Sequence, residues 1–157
     1  MIKSKLPHVS TTIFSVMSQL AQKNNAINLA QGFPDFNTDS ELINRLNYYS
    51  PQNYNQYAPM FGVEKLRILL SEKYSKLYDS DYDFQNEINI TSGASQAIFN
   101  VISTLVYPND EVIIFEPAYD LYQPTVELFG GKVIPIQLKY PEYSIDFEEL
   151  RQKITDK

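Results

Sequence analysis

The segment Thr91-Ser92-Gly93-Ala94-Ser95-Gln96-Ala97 passes from an apolar alternation into a helical pattern through a run of small residues. A turn of this kind aims several backbone N–H groups and the positive end of the helix dipole at one spot. The hydroxyls of Ser92 and Ser95 add further donors, a set that suits a phosphate. The same residues also read as a tight βα turn at Gly93 with Ser95 capping the helix. Gly93 is followed by no second glycine and no Lys-Ser/Thr pair, so neither the Walker loop nor the three-glycine dinucleotide fingerprint is present. Further along, Glu116-Pro117-Ala118-Tyr119-Asp120-Leu121-Tyr122 sets the aromatic Tyr119 just after a second apolar run. Ligands of open α/β sheets bind at the C-terminal ends of the strands. The Tyr119 ring there either lies flat on a planar heterocycle or packs under the following helix. An anion loop beside an aromatic implies a flat, phosphorylated cofactor. Two loops, Gln31 to Phe36 and Asn55 to Gly62, are rich in Pro, Gly and aromatics, which fits rigid surface turns or a lid over a pocket. His8 reads as a solvated side chain near the N-terminus.

The elements that must position these residues follow from periodicity. Ile13, Val16, Met17 and Leu20 make a helical stripe, and an extended run from Ala26 to Ala30 follows. Thr38 or Asp39 is placed to cap a helix over about 40–49. The clearest helix follows Gly62, with Val63, Leu66, Leu69, Leu70, Tyr74, Leu77 and Tyr78 on one side. Three segments then have strand character, Glu87 to Thr91, Glu111 to Phe115 and Lys132 to Ile136, separated by helical patterns at about 94–106 and 119–129. This order predicts an α/β fold with a βαβαβ unit of parallel strands joined by right-handed crossovers. Pro135 makes the third strand an edge candidate or shortens it. A last helix is expected from Asp146, whose acidic followers suit the positive helix end.

Length and composition bound the rest. The chain has 157 residues, room for one ordinary core, and 43% hydrophobic with 20% charged residues is a globular mixture. A formal charge of -6 without a basic run excludes nucleic-acid binding by phosphate neutralisation. With no cysteine and one histidine, thiolate chemistry, disulfides and Cys- or His-rich metal centres are excluded, and no metal is expected. No apolar stretch approaches the roughly 18 residues of a membrane span. Behind Lys3 and Lys5 no apolar segment of a leader follows, so the expected location is cytoplasmic.

Taken in order, six segments resemble pyridoxal-5′-phosphate-dependent aminotransferases of fold type I, class I/II, most closely the methionine and kynurenine aminotransferase branch. They are Leu6-Pro7 with Thr11 to Phe14, Ile27 to Phe36, Asn55 to Met60, Thr91 to Ala97, Asp110 to Ile113, and Pro117 to Tyr122. The resemblance implies an aspartate aminotransferase-like major domain, incomplete here, with a three-layer core preceded by an N-terminal arm and helices. It implies residues 1–37 as arm and substrate-loop segment and residues 38–157 as the first half of the large, cofactor-binding domain. Gly93, Ala94 and Ser95 match the phosphate loop of pyridoxal 5′-phosphate and Tyr119 the aromatic on its ring. Tyr57 matches a tyrosine that reaches the cofactor phosphate of the other subunit, implying a homodimer of the full-length enzyme. Gly32 and Phe33 match the substrate-binding loop. The implied substrates are an amino acid, of methionine or aromatic/kynurenine type, and a 2-oxo acid. A C–S lyase of the same fold and a non-catalytic module for a phosphorylated ligand or partner are the alternatives. The Schiff-base lysine has no match in these residues, so the chain alone is expected to be inactive.

Overall fold

A computed structural model describes residues 3–157. By internal contacts the chain divides into two units, residues 1–30 with 92–157, and residues 31–91.

The first unit begins with the arm and α1 (Ile13–Lys23), capped by Thr12, whose Oγ1 accepts the Ser15 N–H. It resumes with α4 (Ala94–Leu105), β1 (Glu111–Glu116), α5 (Tyr122–Leu128), β2 (Lys132–Gln137) and α6 (Phe147–Lys153). β1 and β2 form a two-stranded parallel sheet in the register Glu111 with Lys132 through Glu116 with Gln137. α5 is the crossover between them, as a parallel pair requires. Its core is small: Ile114 on β1, Val126 on α5 and Ile136 on β2 are the buried apolar residues, with Thr125 buried beside them and its hydroxyl donating to Leu121 O at 2.7 Å. Gly131 sits where α5 returns to β2. A Cβ there would stand 2.6 Å from Val106 Cγ1 and 2.8 Å from Val126 Cγ1, so only glycine lets the two chains close. Pro135 stays inside β2 opposite Ile114, on an edge strand as expected, and its carbonyl accepts the Lys153 ammonium at 2.6 Å.

α6 is held by Asp146. Its carboxylate accepts the Glu148 and Glu149 N–H groups and the Lys139 ammonium, the last at 2.7 Å. The lysine first, then the helix amides, hold the Asp146 carboxyl below its ordinary value of 3.8. A carboxyl depressed in the folded state contributes stability that is complete above its unfolded value and is lost as pH falls through the folded one. α6 should therefore fray first on acidification below about pH 4. Amide exchange at Glu148 and Glu149 should rise there before exchange in β1 and β2 does, and Asp146→Asn should remove that difference.

The second unit carries α2 (Ser40–Tyr49), capped by Asp39, and α3 (Glu64–Tyr78), closed by Asp79 in the left-handed region at φ 50°. The apolar stripe of α3 is half exposed, and its buried residue is Arg67, whose Nη1 donates to Phe84 O at 2.7 Å. That guanidinium ties the helix to the loop after it.

One expected strand is absent. Residues 84–87 form a turn and residues 88–91 join no ladder, so the unit is βαβ rather than βαβαβ. Ile88 and Ile90 supply the alternation of a strand, but a strand is defined by its partner. Here the Ile90 N–H bonds to Phe61 O at 3.0 Å instead.

Candidate cofactor site

The phosphate-loop candidate is built as the spacing suggests, with one difference. Gly93, at φ 89°, is the N-cap of α4, a conformation that favours glycine, and a Cβ placed on it would meet nothing within 4 Å. Ser95 does not cap: α4 has no side-chain cap bond, and the first-turn side chain that folds back is Gln96, whose Oε1 accepts the Ser92 N–H at 2.6 Å. The N–H groups of Ala94 and Ser95 therefore lie in the first turn without intrahelical acceptors. Both residues are exposed, and no acidic residue occupies that turn.

Tyr119 follows β1 and is 47% exposed, its ring edge-on to Tyr122 at 5.8 Å. It lines an open cleft of about 520 Å³ with Glu116, Pro117, Asp120, Gln137 and the arm residues His8 and Val9. Glu116 accepts a hydrogen bond from the Gln137 amide. Glu127, also on the cleft, is held below the usual carboxylate range by Gln123 and then by His8. His8, read as solvated, is exposed but paired with Glu127.

Val106 and Pro108, just past α4, abut Gly131 and Gly130, just before β2, so α4 ends at the N-terminal edge of the strands. Ile102 lines a small pocket with Val112 to Phe115, Tyr122 and Val126. Twelve residues at 1.5 Å each carry α4 about 18 Å, nearly the length of the strand. The Gly93 end of α4 is thus the end away from the N-terminal edge of the strands.

The other candidates belong to the second unit. Gly32 and Phe33 are exposed in the loop before α2, with the Phe33 N–H on Gln31 O at 3.1 Å, and the Tyr57 side chain is fully exposed. Among the described residues no group of three or more His, Cys, Asp or Glu could hold a metal. No helix among them is long and apolar enough to cross a membrane.

Residues 24–157 match the profile of aminotransferase class I and II. The chain belongs to this family. It is 43% identical over 155 residues to a methionine aminotransferase from Escherichia coli, a match spanning 99% of this chain and 40% of that protein. The solved structure of an Escherichia coli methionine aminotransferase superposes with a TM-score of 0.93, covering 99% of this chain and 41% of that one. A human kynurenine–oxoglutarate transaminase 3 is 30% identical over 164 residues, 98% of this chain and 36% of the relative. The chain thus spans about 40% of the length of the first of these relatives. Family members are fold type I enzymes that use pyridoxal 5′-phosphate, and this chain is a partial α/β portion of that fold with a small parallel sheet. The residues present fit that cofactor. First-turn amides with serine hydroxyls and no acidic residue in that turn suit a phosphate dianion, and an exposed tyrosine ring after β1 suits a pyridine.

Proposed function

We propose that the protein to which this chain belongs transfers an amino group from an amino acid, of methionine or aromatic/kynurenine type, to a 2-oxo acid. What supports this reading is the small-residue turn Gly93-Ala94-Ser95 opening α4 and the exposed Tyr119 following β1, in a chain 43% identical to a methionine aminotransferase. Gly93, Ala94 and Ser95 bind the cofactor phosphate: glycine keeps the approach open, the amides of Ala94 and Ser95 donate, and the Ser95 hydroxyl adds a third donor. Tyr119 lies on the ring and fixes its plane. When bound, pyridoxal phosphate supplies an electron-withdrawing ring that takes up the electron pair left as the α-proton departs. Gly32 offers its backbone to the substrate carboxylate and Phe33 walls the side-chain pocket. Tyr57 reaches the cofactor phosphate of a second subunit, making a homodimer the working form. In this reading residues 1–37 serve as arm and substrate loop and residues 38–157 begin the large domain.

Product analysis of the full-length protein tests the activity. With methionine and a 2-oxo acid, the expected products are the 2-oxo acid of methionine and an aminated acceptor. Ammonia with a cleaved side chain would instead establish a C–S lyase of the same fold. Cofactor bound without any product would establish a binding module. In the same protein Tyr57→Phe should weaken cofactor retention, and unchanged retention would remove that residue from the site.

A further inference from the structure

The cleft at Tyr119 has a wall that the proposed function does not use. His8 and Val9 come from the N-terminal arm, yet they line the same cleft as Tyr119, Pro117 and Gln137. A hydrogen bond joins the arm to α5 there. His8 Nε2 lies 2.7 Å from Glu127 Oε2 on α5, across 119 residues of sequence. The other oxygen of that carboxylate, Oε1, accepts the Gln123 amide at 2.8 Å, so α5 presents a carboxylate already oriented from its own preceding turn. Among the described residues the remaining hydrogen bonds from Lys3 to Ser10 stay within the arm: Leu6 N–H to Ser4 Oγ at 3.0 Å and Val9 N–H to Leu6 O at 3.2 Å. These fold the arm locally and tie it to nothing else. We infer that His8 is a positioning residue, which through Glu127 holds the N-terminal arm as one wall of the cleft that receives the cofactor ring at Tyr119. The inference rests on the reading of Tyr119 given above. The His8 side chain is 61% exposed and that of Glu127 27%, so water competes for the pair. Its closure is worth at most about fivefold in the ratio of closed to open arm. A latch this weak lets the arm release at little cost and still favours the closed cleft.

The test uses the whole 157-residue chain without cofactor, so that its outcome is separate from that of the cofactor reading. Nitration of Tyr119 by tetranitromethane, mapped by peptide mass spectrometry, reports access to the cleft, and amide exchange at Leu6, His8 and Val9 reports release of the arm. His8→Ala should raise both rates by about two- to fivefold. Glu127→Ala should do the same, and the double variant should add nothing further, because either change breaks one contact. His8→Gln, which keeps an N–H donor within reach of Glu127, should restore most of the protection. Thermal unfolding should be unchanged across the set. Tyr119 nitrating at the same rate in His8→Ala as in the parent chain would overturn the inference, as would additive effects in the double variant. Failure of the cofactor reading is recognised elsewhere, by the response of the Ala94 and Ser95 amides to pyridoxal phosphate.

Discussion

Given pyridoxal phosphate, methionine and a 2-oxo acid, the 157-residue chain by itself should form no 2-oxo acid of methionine above the rate of free cofactor. The reason lies in where its cations are. Moving the α-proton of an amino acid takes a base at the cofactor, and in this family a lysine does it. None of the ten lysines lines the cleft at Tyr119. Lys132 is bound to Glu111 at 2.8 Å, Lys139 to Asp146 at 2.7 Å, and Lys153 to Glu149 at 2.8 Å. Lys65, Lys73 and Lys76 belong to α3 in the second unit, Lys23 ends α1, Lys3 and Lys5 are exposed on the arm, and Lys157 is the last residue of the sequence. The three arginines are committed as well: Arg45 pairs with Glu41, Arg151 with Glu148, and buried Arg67 donates to Phe84 O. A bidentate clamp on the substrate carboxylate has no guanidinium to draw on. Chemistry and positioning should therefore be missing together. Assay of the purified chain with borohydride trapping decides it: multiple turnovers with a cofactor fixed to one of these lysines would contradict the expectation.

Gly62→Ala should be the most damaging single methyl addition in the second unit. The added Cβ would stand 2.4 Å from Ile90 Cγ1 and 2.5 Å from Ile90 Cβ, and φ at Gly62 is +95°. The nearer of those atoms belongs to a β-branched side chain whose Cβ cannot swing aside, and its backbone N–H is engaged with Phe61 O. Overpacking of this kind costs about 1–3 kcal/mol. The left-handed conformation adds about 1–2 kcal/mol. A loss of about 2–5 kcal/mol follows, a large share of the roughly 5–15 kcal/mol that holds a typical domain. Chemical denaturation measures it, with Gly32→Ala as the control, since a Cβ at Gly32 meets nothing within 4 Å. Equal midpoints for the two variants would show that the Gly62–Ile90 contact does not constrain the fold.

The helices were readable in the sequence because each carries its own evidence: Asp39 and Asp146 cap where their position and acidic followers suggested, and α4 spans Ala94–Leu105 against an expected 94–106. Strands β1 and β2 were readable because Val112 to Phe115 and Val133 to Ile136 are short apolar runs bounded by Asp110 and the Gly130-Gly131 pair. The segment from Ile88 to Thr91 shows the limit of that reasoning. Its alternation is real, but whether an extended run becomes a strand depends on a neighbour that alternation does not reveal. The half-exposed face of α3 shows the same limit, since a stripe of leucines and tyrosines does not say what covers it. At the site, Gly93 and Tyr119 stood out because a small-residue turn and an aromatic each follow an apolar run. Gln96 was missed as the partner of the Ser92 N–H because glutamine in a first turn has many uses. His8–Glu127 was missed because the pair is closed by tertiary structure across 119 residues and leaves no local pattern.

In the proposed site the first turn of α4 and Tyr119 together receive a phosphorylated pyridine. Backbone and tyrosine-ring NMR of the isotopically labelled chain, titrated with pyridoxal phosphate and separately with unphosphorylated pyridoxal, tests it most directly. Pyridoxal phosphate should move the Ala94 and Ser95 amides and the Tyr119 ring together with one binding curve, while pyridoxal leaves Ala94 and Ser95 in place. Binding of pyridoxal phosphate that shifts other residues and leaves the Ala94 and Ser95 amides unmoved would contradict it.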